Sequence, residues 1–231
     1  IASYLPPSRE HILGTNDVGQ DIFSEMVYGT RVSLYIGIFA AFIVTGVGTV
    51  LALVSGYFGG VTDKIITAIT NIAMAVPSLP LTVLLVAYLN PGKWSLIIAI
   101  SVTAWTGTAR ILRSRVMQLK ELPFIKIEKT MGVHPVVILF KHILPNIKDI
   151  ILTRGAMAIS GAMMTEAGLS FLGLGEFGEK SWGRVLHYAF FRKSIMKKQY
   201  WWYVPPIVCI CVCVLGFMLI GYYGKIKKGG E

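Results

Sequence analysis

Five apolar runs, each about as long as a bilayer is thick, divide this chain and leave it few folds. They run from Val32 to Tyr57, from Lys64 to about Leu89, from Trp94 to the charges that begin at Arg110, from about Ile150 to Leu174, and from Val204 to Tyr223. A helix needs roughly 20 apolar residues to cross the hydrocarbon layer. Composition agrees: 54% of the residues are hydrophobic and 15% charged, with mean hydropathy +0.64, more apolar surface than a soluble domain can bury. The expected fold class is therefore an all-α polytopic membrane protein. The net charge of +10 falls between the apolar runs and not along one amphipathic face, which argues for lipid headgroups and against nucleic acid.

Each run carries its own punctuation. In the first, Gly37/Ala41, Thr45/Thr49 and Ala52/Gly56 are small pairs that allow close helix–helix approach. Gly59-Gly60 makes a turn before Asp63 and Lys64. Pro77 and Pro80 then predict a kink in the second run, and such a kink either lines a pathway or serves packing. Asn90-Pro91-Gly92 is a tight turn, and Trp94 is an interfacial type. From Arg110 to Lys148 there are eight Lys/Arg against two acids, Glu121 and Glu128, which places this block inside. In the fourth run Arg154 and Glu166 stand twelve residues apart, roughly 18 Å along a helix, so they are not partners. Arg154 is expected to snorkel to the cytoplasmic surface. Glu166 is expected to face a cavity or, preferably, to hydrogen-bond a neighbouring helix.

Counting spans from the inside block puts residues 176–202 outside, although six Lys/Arg between Lys180 and Lys198 run against that placement. Tyr200-Trp201-Trp202-Tyr203 reads as an interfacial belt. Lys225, Lys227 and Lys228 then fall inside. Cys209 and Cys213 share a helix face and Cys211 points away, and no histidine or carboxylate in that run completes a metal site. The G-x-G-x-x-G of Gly173 to Gly178 follows a membrane helix and opens no βαβ unit, so it does not read as a dinucleotide fingerprint. There is no Walker A lysine, HExxH or nucleophile elbow, and His11, His134, His142 and His187 are scattered. No cofactor is expected.

The stretch that organises the rest is Lys126 to Pro145, KIEKTMGVHPVVILFKHILP. Its grammar predicts a helix stopped by a left-handed Gly132, then a second helix with Pro135 at its first position, ended by Pro145. A glycine, nine residues and then His142-Ile143-Leu144-Pro145 resembles the coupling ("EAA") loop of ABC importer permeases. Lys126, Ile127 and Glu128 stand where that family has Glu-Ala-Ala. Two further strings are similar to the same family in the same order. One is the lead-in, with His11, Gly14-Thr15, Asp17, Gly19, Asp21, Ser24, Tyr28-Gly29 and Arg31; Asn16 and Gln20 depart from it. The other is Thr165 to Gly175, TEAGLSFLGLG, followed by Ser181-Trp182-Gly183. Without the family the lead-in would read only as a solvated approach to a helix near Asp21. The chain resembles the dipeptide/oligopeptide/nickel branch of the binding-protein-dependent permeases.

That resemblance implies a type I importer permease fold with six spans, hence one further N-terminal helix upstream of Ile1. It implies an extracytoplasmic lead-in over 1–31, a permease domain over 32–224 with its coupling loop at 116–147, and a cytoplasmic tail over 225–231. It implies a subunit that is not itself an enzyme, in the cell membrane with its C-terminus inside. The implied partners are a paralogous permease, two cytoplasmic ATP-binding subunits and an extracytoplasmic binding protein. The expected ATPase-coupling residues are Lys126, Glu128, Gly132, His142, Leu144 and Pro145, with Gly132 critical and Lys126 and Glu128 less so. Pro77 and Glu166 are the expected pathway or interhelix residues. Peptide is the favoured cargo, with nickel as an alternative. The competing function is a stand-alone secondary transporter or channel coupled through Glu166. A membrane-embedded enzyme lacks a catalytic set.

Overall fold

The computed structural model describes residues 3–175 and 178–226, the last three as backbone alone. The tail from Lys227 onward and Glu176-Phe177 lie outside the described residues. Nine α-helices and one π-helical segment are found among the described residues, in the order α1 Ile22–Phe58, α2 Gly60–Ala75, α3 Ser78–Leu89, α4 Lys93–Lys120, α5 Pro123–Thr130, α6 Pro135–Ile138, the π segment Leu139–Ile143, α7 Leu144–Phe171, α8 Trp182–Phe191 and α9 Tyr200–Ile226. The helices α1, α4 and α9 are each long and apolar enough to cross a membrane alone. The helices α2 and α3 pass that test together but meet at 87°. The expected kink in the second run is thus a sharp break. Val76, forced out of the helical region by the proline after it, has φ −83° and ψ 128°. Pro80 sits in the first turn of α3, where its missing N–H costs nothing. The fourth run is α7, 28 residues long. Its Lys148, Asp149, Arg154 and Glu166 dilute its apolarity, so of the five expected spans it is the one whose helix falls short of the apolarity the others reach.

The lead-in is folded, not merely solvated. Asp21 accepts from the Ser24 N–H at 2.8 Å and so caps the start of α1, while His11 Nδ1 lies 3.1 Å from its other oxygen. Burial raises the Asp21 pKa, but the Ser24 bonds and His11 outweigh it, and the carboxyl ends below its usual range. Asn16 is buried: its Oδ1 accepts from the N–H groups of Val18 and Gln20, and its Nδ2 donates to Glu25 at 2.7 Å. As a result α1 begins ten residues before the apolar run at Val32 and reaches 37 residues, or about 55 Å at 1.5 Å per residue.

The chain divides into two compact units. The first holds 1–40, 82–100 and 159–217. One of its cores gathers Val32, Ile36, Leu96, Ile97, Ile100 and Leu169. A second gathers Ile22, Met26, Met163, Trp182, Val185 and Trp202. Trp202 is 1% exposed and packs edge-on to Tyr4, so this part of the expected interfacial belt is core instead. Cys209 and Cys213 pack on that core and Cys211 is exposed, as helical spacing requires.

The second unit holds 41–81, 101–158 and 218–231, with a core of Leu53, Tyr57, Val116, Leu119, Ile125, Ile138, Ile143 and Ile147. Gly37 and Gly56 of α1 make the close approaches their spacing suggested, and Gly48, outside those pairs, makes another. In the first unit Gly37 faces Met163, and in the second Gly48 faces Thr108 and Gly56 faces Val116.

Candidate functional site

The hairpin between α4 and α7 is built residue by residue from its turn chemistry. Pro123 opens α5 at the first helical position, after Leu122 in extended conformation. Met131 caps its end, and Gly132 follows with φ +77°. The Gly132 N–H donates to the Lys129 carbonyl at 3.2 Å and the Val133 N–H to the Glu128 carbonyl at 3.1 Å. This is the paired closure of a Schellman motif, and Val133 then packs on the core beneath. His134 caps the next helix, its Nδ1 accepting from the Val136 N–H at 3.3 Å, and Pro135 takes the first position.

Pro145 does not end that helix. The chain stays helical from Pro135 to Phe171 because Leu139–Ile143 widens into a π turn, with the Leu144 N–H donating to the Leu139 carbonyl five residues back. The wider turn makes room for the proline ring against the preceding carbonyls, and Pro145 lies in the first turn of α7, exposed.

The two arms are joined. His142 Nε2 stands 2.9 Å from Glu128 Oε1, and the Phe124 and His142 rings meet edge to face at 6.0 Å. Lys126 instead pairs with Glu121 at 2.8 Å, with both side chains mostly in solvent. That pairing with Lys126 holds the Glu121 carboxyl below its usual pKa. Leu144 is half-buried against the core. Of the six hairpin residues picked out by sequence, the structure joins Glu128 to His142 directly, sets Gly132 at the apex and leaves Lys126 apart. The inner face buries Ile125, Ile138 and Ile143. The outer face leaves Phe124, Ile127, Met131, Val136, Val137 and Phe140 open, with Met131 76% exposed, among Lys126, Lys129 and Lys141.

Also in this unit, Arg113 of α4 holds Asp63 of α2 with two bonds, Nε to Oδ1 at 2.5 Å and Nη2 to Oδ2 at 2.6 Å. Both residues were visible in the sequence, one at a span entrance and one at a span exit. Their pairing was not, because it depends on how the broken second run returns. Pro77 stands exposed at the corner between α2 and α3. Arg154 is half-buried, its guanidinium 3.4 Å from where a Cβ on Gly107 would stand, and its Nε has no hydrogen-bond partner among the described residues. It lies over α4 and does not reach freely for a surface.

In the first unit Glu166 of α7 is 1% exposed. The Ser33 hydroxyl of α1 donates to it at 3.2 Å and the Ser170 hydroxyl at 2.7 Å. Ser33 in turn accepts from the Trp182 N–H at 3.3 Å, and Trp182 Nε1 donates to the Met26 carbonyl at 3.0 Å. The acid thereby ties together α1, α7 and the start of α8. The serines were not singled out beforehand. Their signal was only that Ser170 lies four residues after Glu166, on the same helix face.

Residues 48–224 match the family model described as the binding-protein-dependent transport system inner membrane component. The chain belongs to that permease family. Among curated relatives, this permease is 37% identical to the oligopeptide transport system permease protein OppC of Bacillus subtilis (strain 168), over 94% of this chain and 70% of that one. It is 38% identical to the dipeptide transport system permease protein DppC of Alkalihalophilus pseudofirmus, over 93% and 70%. It is 36% identical to the glutathione transport system permease protein GsiD of Pectobacterium atrosepticum, over 93% and 71%. The inward-facing MetNI methionine ABC transporter has a chain of the same fold, with TM-score 0.65 and 17% identity over 87% of this chain and 97% of that one. The permease is thus a multi-pass membrane protein with the ABC type I importer fold, a transport component and not itself an enzyme.

Proposed function

We propose that this permease subunit passes di- or oligopeptides, delivered by an extracytoplasmic binding protein, through a pathway it forms with a paralogous permease. Two cytoplasmic ATP-binding subunits drive it by docking on the hairpin within 116–147. In this layout the lead-in over 1–31 and residues 176–202 face outside, and 225–231 face inside. The supporting observation is the outer face of the hairpin. Met131, Phe140 and Ile127, at 76%, 63% and 58% exposure, form an apolar surface studded with lysines. Lysines so interleaved are costly to sink in lipid, whereas a protein partner can cover such a face. Peptide as cargo is supported by the names of the relatives.

ATP-driven closure of the ATPases would press on α5 and α6, and because the hairpin runs without a break into α7, the push would reorient the spans. Glu166 fits this as an interhelix tie, and Pro77 as a corner beside the pathway. In reconstituted vesicles, ATP hydrolysis should appear only when the ATPase subunits are co-purified with this permease and its paralogue, and should rise with peptide-loaded binding protein. Transport of peptide driven by an ion gradient without ATP would instead establish the secondary-transporter reading.

A further inference from the structure

The first unit contains a cavity of about 630 Å³ that the importer reading leaves unused. It lies between the first turns of α1 and the Asn90–Ser95 turn that leads into α4, with Arg31 on one side and Trp94 on the other. Its charges do not cancel. Lys93 is matched by Glu179 at 2.7 Å, while Arg31, exposed to the cavity, has no ion pair or hydrogen bond among the described residues. Its walls are aromatic: the Tyr35 ring meets Trp94 edge to face at 6.4 Å, and Tyr28 and Trp94 are 52% and 60% exposed.

We infer that this pocket binds the phosphate of an anionic phospholipid. Three observations select that occupant over a soluble anion. A guanidinium unpaired among the described residues offers a forked set of donors suited to phosphate oxygens. Exposed tyrosine and tryptophan beside it are the side chains that settle at headgroup depth. An apolar path also leads away from the pocket along both helices. Phe39 lies one turn beyond Tyr35 on α1, their rings 4.4 Å apart, and Ile98 lies one turn beyond Trp94 on α4. Both are exposed, at 42% and 47%, as acyl chains require and a small soluble anion does not. The neutralised Lys93–Glu179 pair leaves Arg31 as the charge that holds the headgroup.

The test uses the assembled transporter in vesicles containing phosphatidylglycerol with a photoreactive headgroup, with a phosphatidylcholine analogue as control. The phosphatidylglycerol probe should attach within 28–35 and 90–95, compete with unlabelled phosphatidylglycerol and ignore inorganic phosphate. Arg31→Gln should cut that labelling roughly tenfold, the scale of a lost charge-assisted bond, and Arg31→Lys should retain part of it. Arg31 is exposed, so the variants should assemble normally, which their thermal unfolding checks. The inference is overturned by labelling that is equal in Arg31→Gln, by labelling outside these segments, or by displacement of the lipid by inorganic phosphate or by peptide cargo, the last of which would make the pocket a cargo site.

Discussion

Gly132→Val should cut transport-linked ATP hydrolysis by about an order of magnitude while the subunit still inserts and pairs. The effect comes from the backbone. Gly132 has φ +77°, and among the described residues beyond its chain neighbours no atom lies within 4 Å of where a Cβ would stand, so a larger side chain meets no clash there. It meets the left-handed conformation, which costs an ordinary residue roughly 1–2 kcal/mol and a β-branched one more. A cost of that size lowers the share of correctly aimed hairpins by about 5- to 30-fold. The motif that aims them is the pair of Gly132 and Val133 N–H bonds back to α5, and losing it leaves the arms joined only through His142 and its Glu128 and Phe124 contacts. The base of the hairpin stays anchored through Ile125, Ile138 and Ile143, which is why insertion survives. Gly132→Ala should do the same in milder degree.

Glu128→Gln should fall between these and wild type, since it weakens the only side-chain ion pair seen between the arms among the described residues. Lys126→Ala should be nearly silent, because its partner Glu121 is an exposed neighbour. The sequence had placed Glu128 beside Lys126 as a minor position, and the His142 contact separates them. Wild-type hydrolysis and transport in Gly132→Val would make the hairpin an ordinary loop.

Gly183→Val should act differently, by removing folded protein. A Cβ at Gly183 would lie 2.5 Å from the Ala167 carbonyl oxygen and 2.8 Å from Ala167 Cα. Both are backbone atoms of α7, so relief requires α8 to lift away, taking Trp182, 2% exposed, out of its core. Overpacking of this kind costs upward of about 1–3 kcal/mol, and here it also disturbs the Trp182 bond to Ser33 that supports Glu166. Assembled transporter should drop severalfold, with a lower unfolding temperature in detergent. At Gly168, one residue after Ala167 in α7, an added Cβ meets nothing within 4 Å among the described residues outside its own helix backbone, and Gly168→Ala should leave stability unchanged or raise it by up to about 1 kcal/mol. Equal yields for Gly183→Val and Gly168→Ala would show that α8 does not dock as described.

How legible this was in the sequence depended on how local the physics is. The left-handed Gly132, the helix that opens at Pro135 and the break at Pro77 follow from single-residue backbone limits, and each is where the residues put it. The apolar runs likewise announced helices, though α1 starts earlier than its apolarity because Asp21 caps it. Pro145 misled because a proline ends a helix only when the preceding turn cannot widen, and the π segment widens it. The long-range polar pairs, Asp63 with Arg113, Glu128 with His142 and Ser33 with Glu166, could not be read. Their partners lie 50, 14 and 133 residues apart, and only the packing decides who meets whom. Trp202 shows the same limit, since an aromatic run is a belt or a core according to what lies behind it.

The central claim is that the hairpin is where the ATPases dock. A photoreactive amino acid at Met131, the most exposed large hydrophobic on the hairpin, tests it directly in the assembled complex. Cross-links should form to an ATP-binding subunit and change in yield when ATP is trapped. The same probe at Tyr35, in the other unit, should give none to that subunit. Cross-linking of position 131 to lipid or to the extracytoplasmic binding protein, with none to an ATP-binding subunit, would contradict the account.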